Sequence, residues 1–196
     1  MKKSILILSA IALLAATSCN DGTKKEEDTI TSEENLTDAS YENEEETKVV
    51  EFKLESKSES NATGKVSFTE EKGMVTLQAR LANLSPGTHA IHIHENADCS
   101  APDGKSAGGH WNPTFEPHGK WGDAGGYHKG DIGNFEADAD GNGTVTMTTD
   151  QWCIGCDDEK KNILGKSIIV HQGTDDFTSQ PSGDAGARVS CGGIIQ

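Results

Sequence analysis

The chain has 196 residues, 33% of them apolar and 5% aromatic, with 22 glycines, which is enough for one domain with a real core plus appendages and too little for several large ones. Its 17 basic side chains face 32 acidic ones, a net charge of −15, and a surface of that sign repels phosphate backbones, so nucleic acid is not expected as a partner. After the N-terminal segment there is no run of about 20 apolar residues, which excludes a protein with several membrane-spanning helices.

Residues 1–18 read as a secretory signal peptide. Lys2 and Lys3 supply a positive start, Ile5 to Ala16 an apolar stretch of about a dozen residues, and Ala15-Ala16-Thr17-Ser18 the small side chains of a processing site. Because the small residues end at Cys19, the stretch resembles the lipobox of bacterial lipoproteins, with Ala16 where leucine is usual. Cys19 is therefore expected to become an acylated N-terminus on an exported protein, lipid-anchored at the bacterial cell envelope and touching membrane through that lipid only. Residues 19–48 hold 11 acids and 3 lysines, with Ile30, Leu36 and Tyr41 as the large apolar residues. They cannot bury enough surface to offset ordering entropy, so a disordered tether is predicted. With +2 in the leader and −8 in the tether, residues 49–196 keep −9 of the net charge.

From Val49 the pattern changes to a period of two. Val50, Phe52 and Leu54 alternate with charged residues, as do Val66 with Phe68, and Val75 with Leu77, Ala79 and Leu81. Val145 and Met147 repeat the pattern after the turn Asp140-Gly141-Asn142-Gly143, and Ile168 to Val170 and Arg188 to Ser190 read as further short strands. Short strands, glycine turns and the lack of helical periodicity predict an all-β domain, an antiparallel barrel or sandwich, over residues 49–196.

Between about Glu95 and Gly130 the alternation gives way to Gly, Pro, Asp and His. A loop of some 35 residues is abnormal inside a compact domain unless it has a task. Six of the seven histidines lie between positions 89 and 128. His92 and His94 sit two apart, so on a strand both imidazoles leave one face while Ile91 and Ile93 enter the core. His110, His118 and His128 follow, Asp131 comes three residues after His128, and His171 ends the Ile168 to Val170 strand. Imidazoles with one carboxylate suit copper and zinc, and the clustering makes metal binding the expectation for the set. His89 is out of alternation with His92 and His94 and is expected to be structural.

The segments His89-Ala-Ile-His-Ile-His94, Ser106-Ala-Gly-Gly-His110, Gly130-Asp-Ile-Gly-Asn134 and Gly186-Ala-Arg-Val-Ser-Cys-Gly192 together resemble, in order, the copper/zinc superoxide dismutases. The resemblance covers about residues 49–196 and implies a Greek-key β-barrel of about eight antiparallel strands with long metal-binding and electrostatic loops. It further implies one copper and one zinc per subunit, copper on His92, His94, His110 and His171, and zinc on His110, His118, His128 and Asp131. His110 then bridges the two metals and carries a proton during turnover. Asp175 matches an acid that links one copper ligand to one zinc ligand, here His92 and His118, and Arg188 matches the arginine that receives the substrate anion, superoxide.

Of five cysteines, four remain once Cys19 is set aside, which leaves three pairings open. The resemblance implies a bridge between Cys99 and Cys191. Cys153 and Cys156, in Trp152-Cys-Ile-Gly-Cys156, depart from the family pattern. A redox-active pair would need a βαβ setting, so a small local disulfide is preferred. The short interval from His94 to Cys99 and the long one from Cys99 to His110 look closer to the exported bacterial branch, so a homodimer is possible in principle but its mode cannot be carried over. The loop from Gln172 to Ala187 has no lysine or glutamate, leaving Lys105, Lys120 and Lys129 as candidates for steering superoxide. Two readings of function follow: an exported superoxide dismutase, or a non-catalytic copper- and zinc-binding lipoprotein on the same barrel.

Overall fold

A computed structural model describes residues 46–196. The leader, Cys19 and most of the acidic tether lie outside the described residues. Eight strands follow in chain order: β1 (Lys48–Ser56), β2 (Thr63–Glu71), β3 (Met74–Ala82), β4 (Gly87–His94), β5 (Gly133–Ala137), β6 (Gly143–Thr149), β7 (Ser167–His171) and β8 (Arg188–Gly193). They close into an antiparallel barrel in the order β1-β2-β3-β6-β5-β4-β7-β8. The chain crosses the barrel ends between β3 and β4 and again between β6 and β7, which makes the topology a Greek key.

Alternation explains the first strands. Val50 and Leu54 of β1, Val66 and Phe68 of β2, and Val75, Leu77, Ala79 and Leu81 of β3 all point into the core, with charged neighbours outside, where Lys65 pairs with Glu51 at 2.7 Å. The β2–β3 register brings Glu71 opposite Met74, leaving a loop of two residues, Lys72 and Gly73. Both have positive φ, 52° and 72°, the primed turn whose twist matches that of the flanking strands.

Two seams in the barrel are thin. β5 meets β6 through Ala137 and Gly143 alone, and β1 meets β8 through two residue pairs. The barrel is thereby two facing sheets, β1-β2-β3-β6 and β5-β4-β7-β8, with the core between them. Ile91, Ile93, Ile168 and Val170 of the second sheet enter that core. His92 and Ile169 are register partners on its outer surface, where Ile169 packs with Ala107, Cys191 and Cys99.

Two features depart from simple alternation. All six residues from His89 to His94 are buried, because the loop after β4 folds back over the outer side of its own strand: Glu95 N donates to Gly109 O at 3.0 Å and Trp111 N to Ile93 O at 2.8 Å. That loop is not wholly irregular, since it contains a single 3-10 turn at Lys105–Ala107 and a bridge pairing His94 with His110. β5 is a strand that the apolar pattern does not announce, with Phe135 as its one large apolar side chain.

Both disulfides are formed. Cys99 joins Cys191 across 92 residues, tying the long loop to β8. Cys153 joins Cys156 in a local clip. Beside the clip, Trp152, Ile154 and Ile163 are buried in the core cluster.

Candidate metal centre

Two strands and one loop deliver the histidines to one place. β4 carries His92 and His94 two residues apart, β7 ends on His171, and the loop between β4 and β5 returns with His110, His118 and His128. All six are buried, as are Asp131 and Asp175. Two groups result, His92 with His94, His110 and His171, and His110 with His118, His128 and Asp131; within each, one potential ligand atom per residue lies within 4.8 Å of the others. His110 belongs to both.

The ring nitrogens divide into those that are bonded and those left free. His92 Nε2 meets Asp175 Oδ2 at 2.9 Å and His94 Nδ1 donates to Gly108 O at 3.0 Å. His110 Nδ1 lies 2.8 Å from Asp131 Oδ1, and His118 Nε2 lies 2.9 Å from Asp175 Oδ1. Buried and making no hydrogen bond are His92 Nδ1, His110 Nε2, His118 Nδ1 and His128 Nδ1, the last two facing Asp131 carboxylate oxygens at 3.0 and 3.2 Å, while His94 Nε2 and His171 Nε2 face each other at 3.4 Å. An orphaned buried nitrogen costs about 1–3 kcal/mol. Several of them converging on one place is the signature of a site built for cations, and imidazole with carboxylate is a donor set that copper and zinc accept.

Electrostatics agree with this reading. Burial pushes the pKa values of His92, His94 and His171 down, and burial together with neighbouring His92 brings His110 down to about 4. These imidazoles are therefore neutral, with lone pairs available for a metal. His118 is the exception: burial opposes its charge, but the carboxylates of Asp131 and Asp175 outweigh burial and raise it to about 9. Burial likewise opposes the charge on Asp131, yet His110, His118 and His128 hold its carboxyl far below the usual carboxylate range. The second group thus favours a cation beside Asp131.

Asp175 is itself held. Asn134 Nδ2 donates to Asp175 O at 2.9 Å, and Asp175 N donates to Asn134 Oδ1 at 2.8 Å. Gly183, at φ +70°, passes so close that a Cβ there would collide with the Asp175 carboxylate and stand 2.6 Å from His118 Nε2. Arg188 donates from Nη1 to Gly104 O at 2.8 Å and from Nη2 to Gly108 O at 2.7 Å, so a half-buried planar cation is fixed beside the first group. His89 lies elsewhere: its Nδ1 donates to His171 O at 2.8 Å, Nε2 sits 3.2 Å from the Ser85 hydroxyl, and the ring stacks on Phe135. Asn134 stands inside a quoted sequence motif, but the Gly104 and Gly108 carbonyls have no side-chain signature that sequence could show. Of the steering candidates, Lys105 pairs with Asp103 at 3.1 Å, Lys129 Nζ bonds the Gln151 amide oxygen, and Lys120 is exposed.

Comparison with known proteins places these features in a family. A model described as copper/zinc superoxide dismutase matches residues 62–194. A protein named superoxide dismutase [Cu-Zn] from Caulobacter vibrioides is 40% identical over 136 residues, covering 67% of this chain and 77% of that protein. Superoxide dismutase [Cu-Zn] 1 of Aquifex aeolicus is 37% identical over 134 residues, covering 66% and 78%. Among solved structures, a SOD-like protein from Bacillus subtilis is similar with a TM-score of 0.66 and 31% identity, over 74% of this chain and 97% of that one.

Proposed function

The chain belongs to the copper/zinc superoxide dismutase family, and we propose that it is the exported, lipid-anchored form of that enzyme, holding copper on His92, His94, His110 and His171 and zinc on His110, His118, His128 and Asp131. As a superoxide dismutase it converts two superoxide anions and two protons to dioxygen and hydrogen peroxide. The observation that carries the site assignment is the set of buried, unpartnered ring nitrogens, with His110 shared between two groups of four.

Bound copper supplies the one-electron oxidation and reduction of superoxide, and zinc supplies fixed charge without redox chemistry. The protein does the rest. Asp175, between His92 Nε2 and His118 Nε2, fixes both rings with Nε2–H donating, so that their Nδ1 lone pairs face inward. The Gly108 carbonyl does the same for His94, leaving its Nε2 free to bind. His110 Nε2, buried and unpartnered, is the nitrogen placed to hold a proton and deliver it to the departing peroxide. Arg188 offers a planar cationic fork to a small anion and cannot lose its charge in turnover.

The reading as a non-catalytic metal store gains no support, since neither group lacks a ligand and Arg188 is in place. Anchoring rests on Lys2, Lys3, the apolar stretch to Ala16, and Cys19. The deciding experiment is copper and zinc analysis of the purified protein together with superoxide consumption: about one of each metal per chain with activity well above free copper is expected. Full loading without such activity overturns the enzyme assignment for this chain.

A further inference from the structure

We infer that Gln180 is a positioning residue for His118: it sets the zinc-site geometry from the opposite loop by gripping the backbone of that histidine. The inference rests on the assignment of zinc to His110, His118, His128 and Asp131 given above. Gln180 Oε1 accepts from His118 N at 2.9 Å, and Gln180 Nε2 donates to His118 O at 2.9 Å, across a sequence separation of 62. One primary amide thus imitates a strand neighbour for a residue that lies in no strand. The task needs an acceptor and a donor side by side, which the primary amides of Gln and Asn offer without any change of protonation.

The grip acts where orientation matters. His118 is buried, and its ring is already held through Nε2 by Asp175 at 2.9 Å, with Nδ1 3.0 Å from Asp131 Oδ2. Fixing the backbone as well as one ring nitrogen leaves the imidazole little freedom in either side-chain torsion, so the direction of Nδ1 is determined. Both grips come from one turn. Asp175 opens it and Gln180 sits five residues on, and the turn between them is braced: Asp176 Oδ1 accepts from Thr178 N at 2.9 Å and Ser179 N at 2.8 Å. Gly183 N donates to Ser179 O at 2.7 Å and Asp176 N to Gly183 O at 3.0 Å. Gln180 Nε2 also lies 3.4 Å from Thr178 O, which orients the amide.

The test compares full-length Gln180→Leu, Gln180→Glu and Gln180→Asn with wild type and with Asp131→Ala. Zinc affinity is read by chelator competition, and the geometry of the zinc position by the visible spectrum of Co(II) placed there. Leu removes both hydrogen bonds, whereas Glu keeps an acceptor for His118 N–H and sets an anion against the His118 carbonyl. Partners that orient a metal ligand typically change affinity 10–100-fold. Zinc affinity is expected to fall about 10-fold in the Leu and Glu variants with an altered Co(II) spectrum, and Asn, one methylene shorter, to recover part of it while copper binding stays at the wild-type level. Wild-type affinity and spectrum in both Leu and Glu overturn the inference, even if the metal-free protein melts lower, because that outcome is a structural clamp and nothing more. Failure of wild type to take zinc or Co(II), or an Asp131→Ala variant that binds as wild type does, instead sinks the zinc assignment itself. Gln180 is solvent-exposed on a loop outside the barrel, and should a Leu variant not fold, the Glu variant carries the same comparison.

Discussion

Arg188 and His94 hang on the same carbonyl oxygen: Gly108 O accepts from Arg188 Nη2 at 2.7 Å and from His94 Nδ1 at 3.0 Å. One peptide group therefore fixes both the cation proposed to receive superoxide and the tautomer of a proposed copper ligand. Lysine at position 188 keeps the charge but cannot span the Gly104 and Gly108 carbonyls, because its ammonium is a point donor. Losing one charge-assisted hydrogen bond costs about 1.5–3 kcal/mol. Arg188→Lys is therefore expected to slow superoxide consumption roughly 10-fold at full copper occupancy, and Arg188→Glu, which reverses the charge, far more. Equal rates for the two variants would show that charge at this position does not matter.

The two metal groups share His110 but are separable through the residues they do not share. His171 belongs to the first group and Asp131 to the second. His171→Ala should abolish activity while zinc stays bound. Asp131→Ala should weaken zinc first, and a roughly 100-fold loss of affinity removes about 2.7 kcal/mol of linked stability, or about 5–10 °C in melting temperature for a domain of this size. Metal analysis and calorimetry of both variants decide the point; equal loss of both metals in each would mean that the sites are assigned wrongly.

These relationships differ in how far sequence could show them. β1, β2 and β3 are legible because one side of each faces solvent and the period of two survives. β4 hides its alternation, since the loop that follows covers the outer face and leaves six consecutive residues buried. β5 is obscured for a related reason: it is short, and it is a strand through pairing with β4 over five residues rather than through its own composition. The clustering of the candidate ligands is legible from the spacing of His92 and His94 and the density of histidine after them, whereas their division between two metals comes from the family resemblance. The Gly104 and Gly108 carbonyls and the Gln180 amide are not, because a backbone oxygen has no residue type and the partner of Gln180 lies 62 positions away.

The two disulfides should differ in weight. On the chain-entropy account, closing a loop of 92 residues stabilises by about 4–5 kcal/mol, and closing a four-residue one by about 2 kcal/mol. Cys99→Ser should thus lower the melting temperature more than Cys156→Ser does. It should also lower activity, because Cys99 lies in the loop whose Gly104 and Gly108 carbonyls hold Arg188. Thermal melts without reductant, set beside activity at matched copper content, check both parts; a Cys156→Ser variant that melts lower would reverse the ranking.

Cys19→Ala should move the protein from the membrane fraction to the soluble one with no loss of specific activity, because an acidic stretch of 28 residues, 20–47, separates the proposed anchor from β1. A single acyl chain binds membrane only marginally, so the anchored form is expected to carry more than one, which mass spectrometry of the N-terminal peptide reads directly. A Cys19→Ala protein that remains with the membrane would place the anchor elsewhere.

Net charge and substrate pull in opposite directions. Residues 49–196 carry −9, which repels superoxide at long range, whereas Arg188 in its proposed role attracts it at short range. At physiological salt the screening length is about 8 Å, so distant acids are muted while a cation beside the reacting centre is not. The acid felt by Arg188 is Asp103, whose charge favours the cationic form of Arg188 against the effect of burial. It is partly neutralised by Lys105 at 3.1 Å, but that pair is exposed, 79% and 48%, and holds weakly in water. Asp103→Asn should leave Arg188 and Lys105 as unopposed cations near the site and raise the rate about two-fold at low salt, with the difference vanishing as salt increases. Wild-type activity should itself decline as salt rises, because screening weakens the local attraction. A wild-type rate that climbs with salt would mean that the global −9 governs approach, and in that case Asp103→Asn should help no more than removal of an acid far from Arg188, such as Asp140→Asn in the turn before β6.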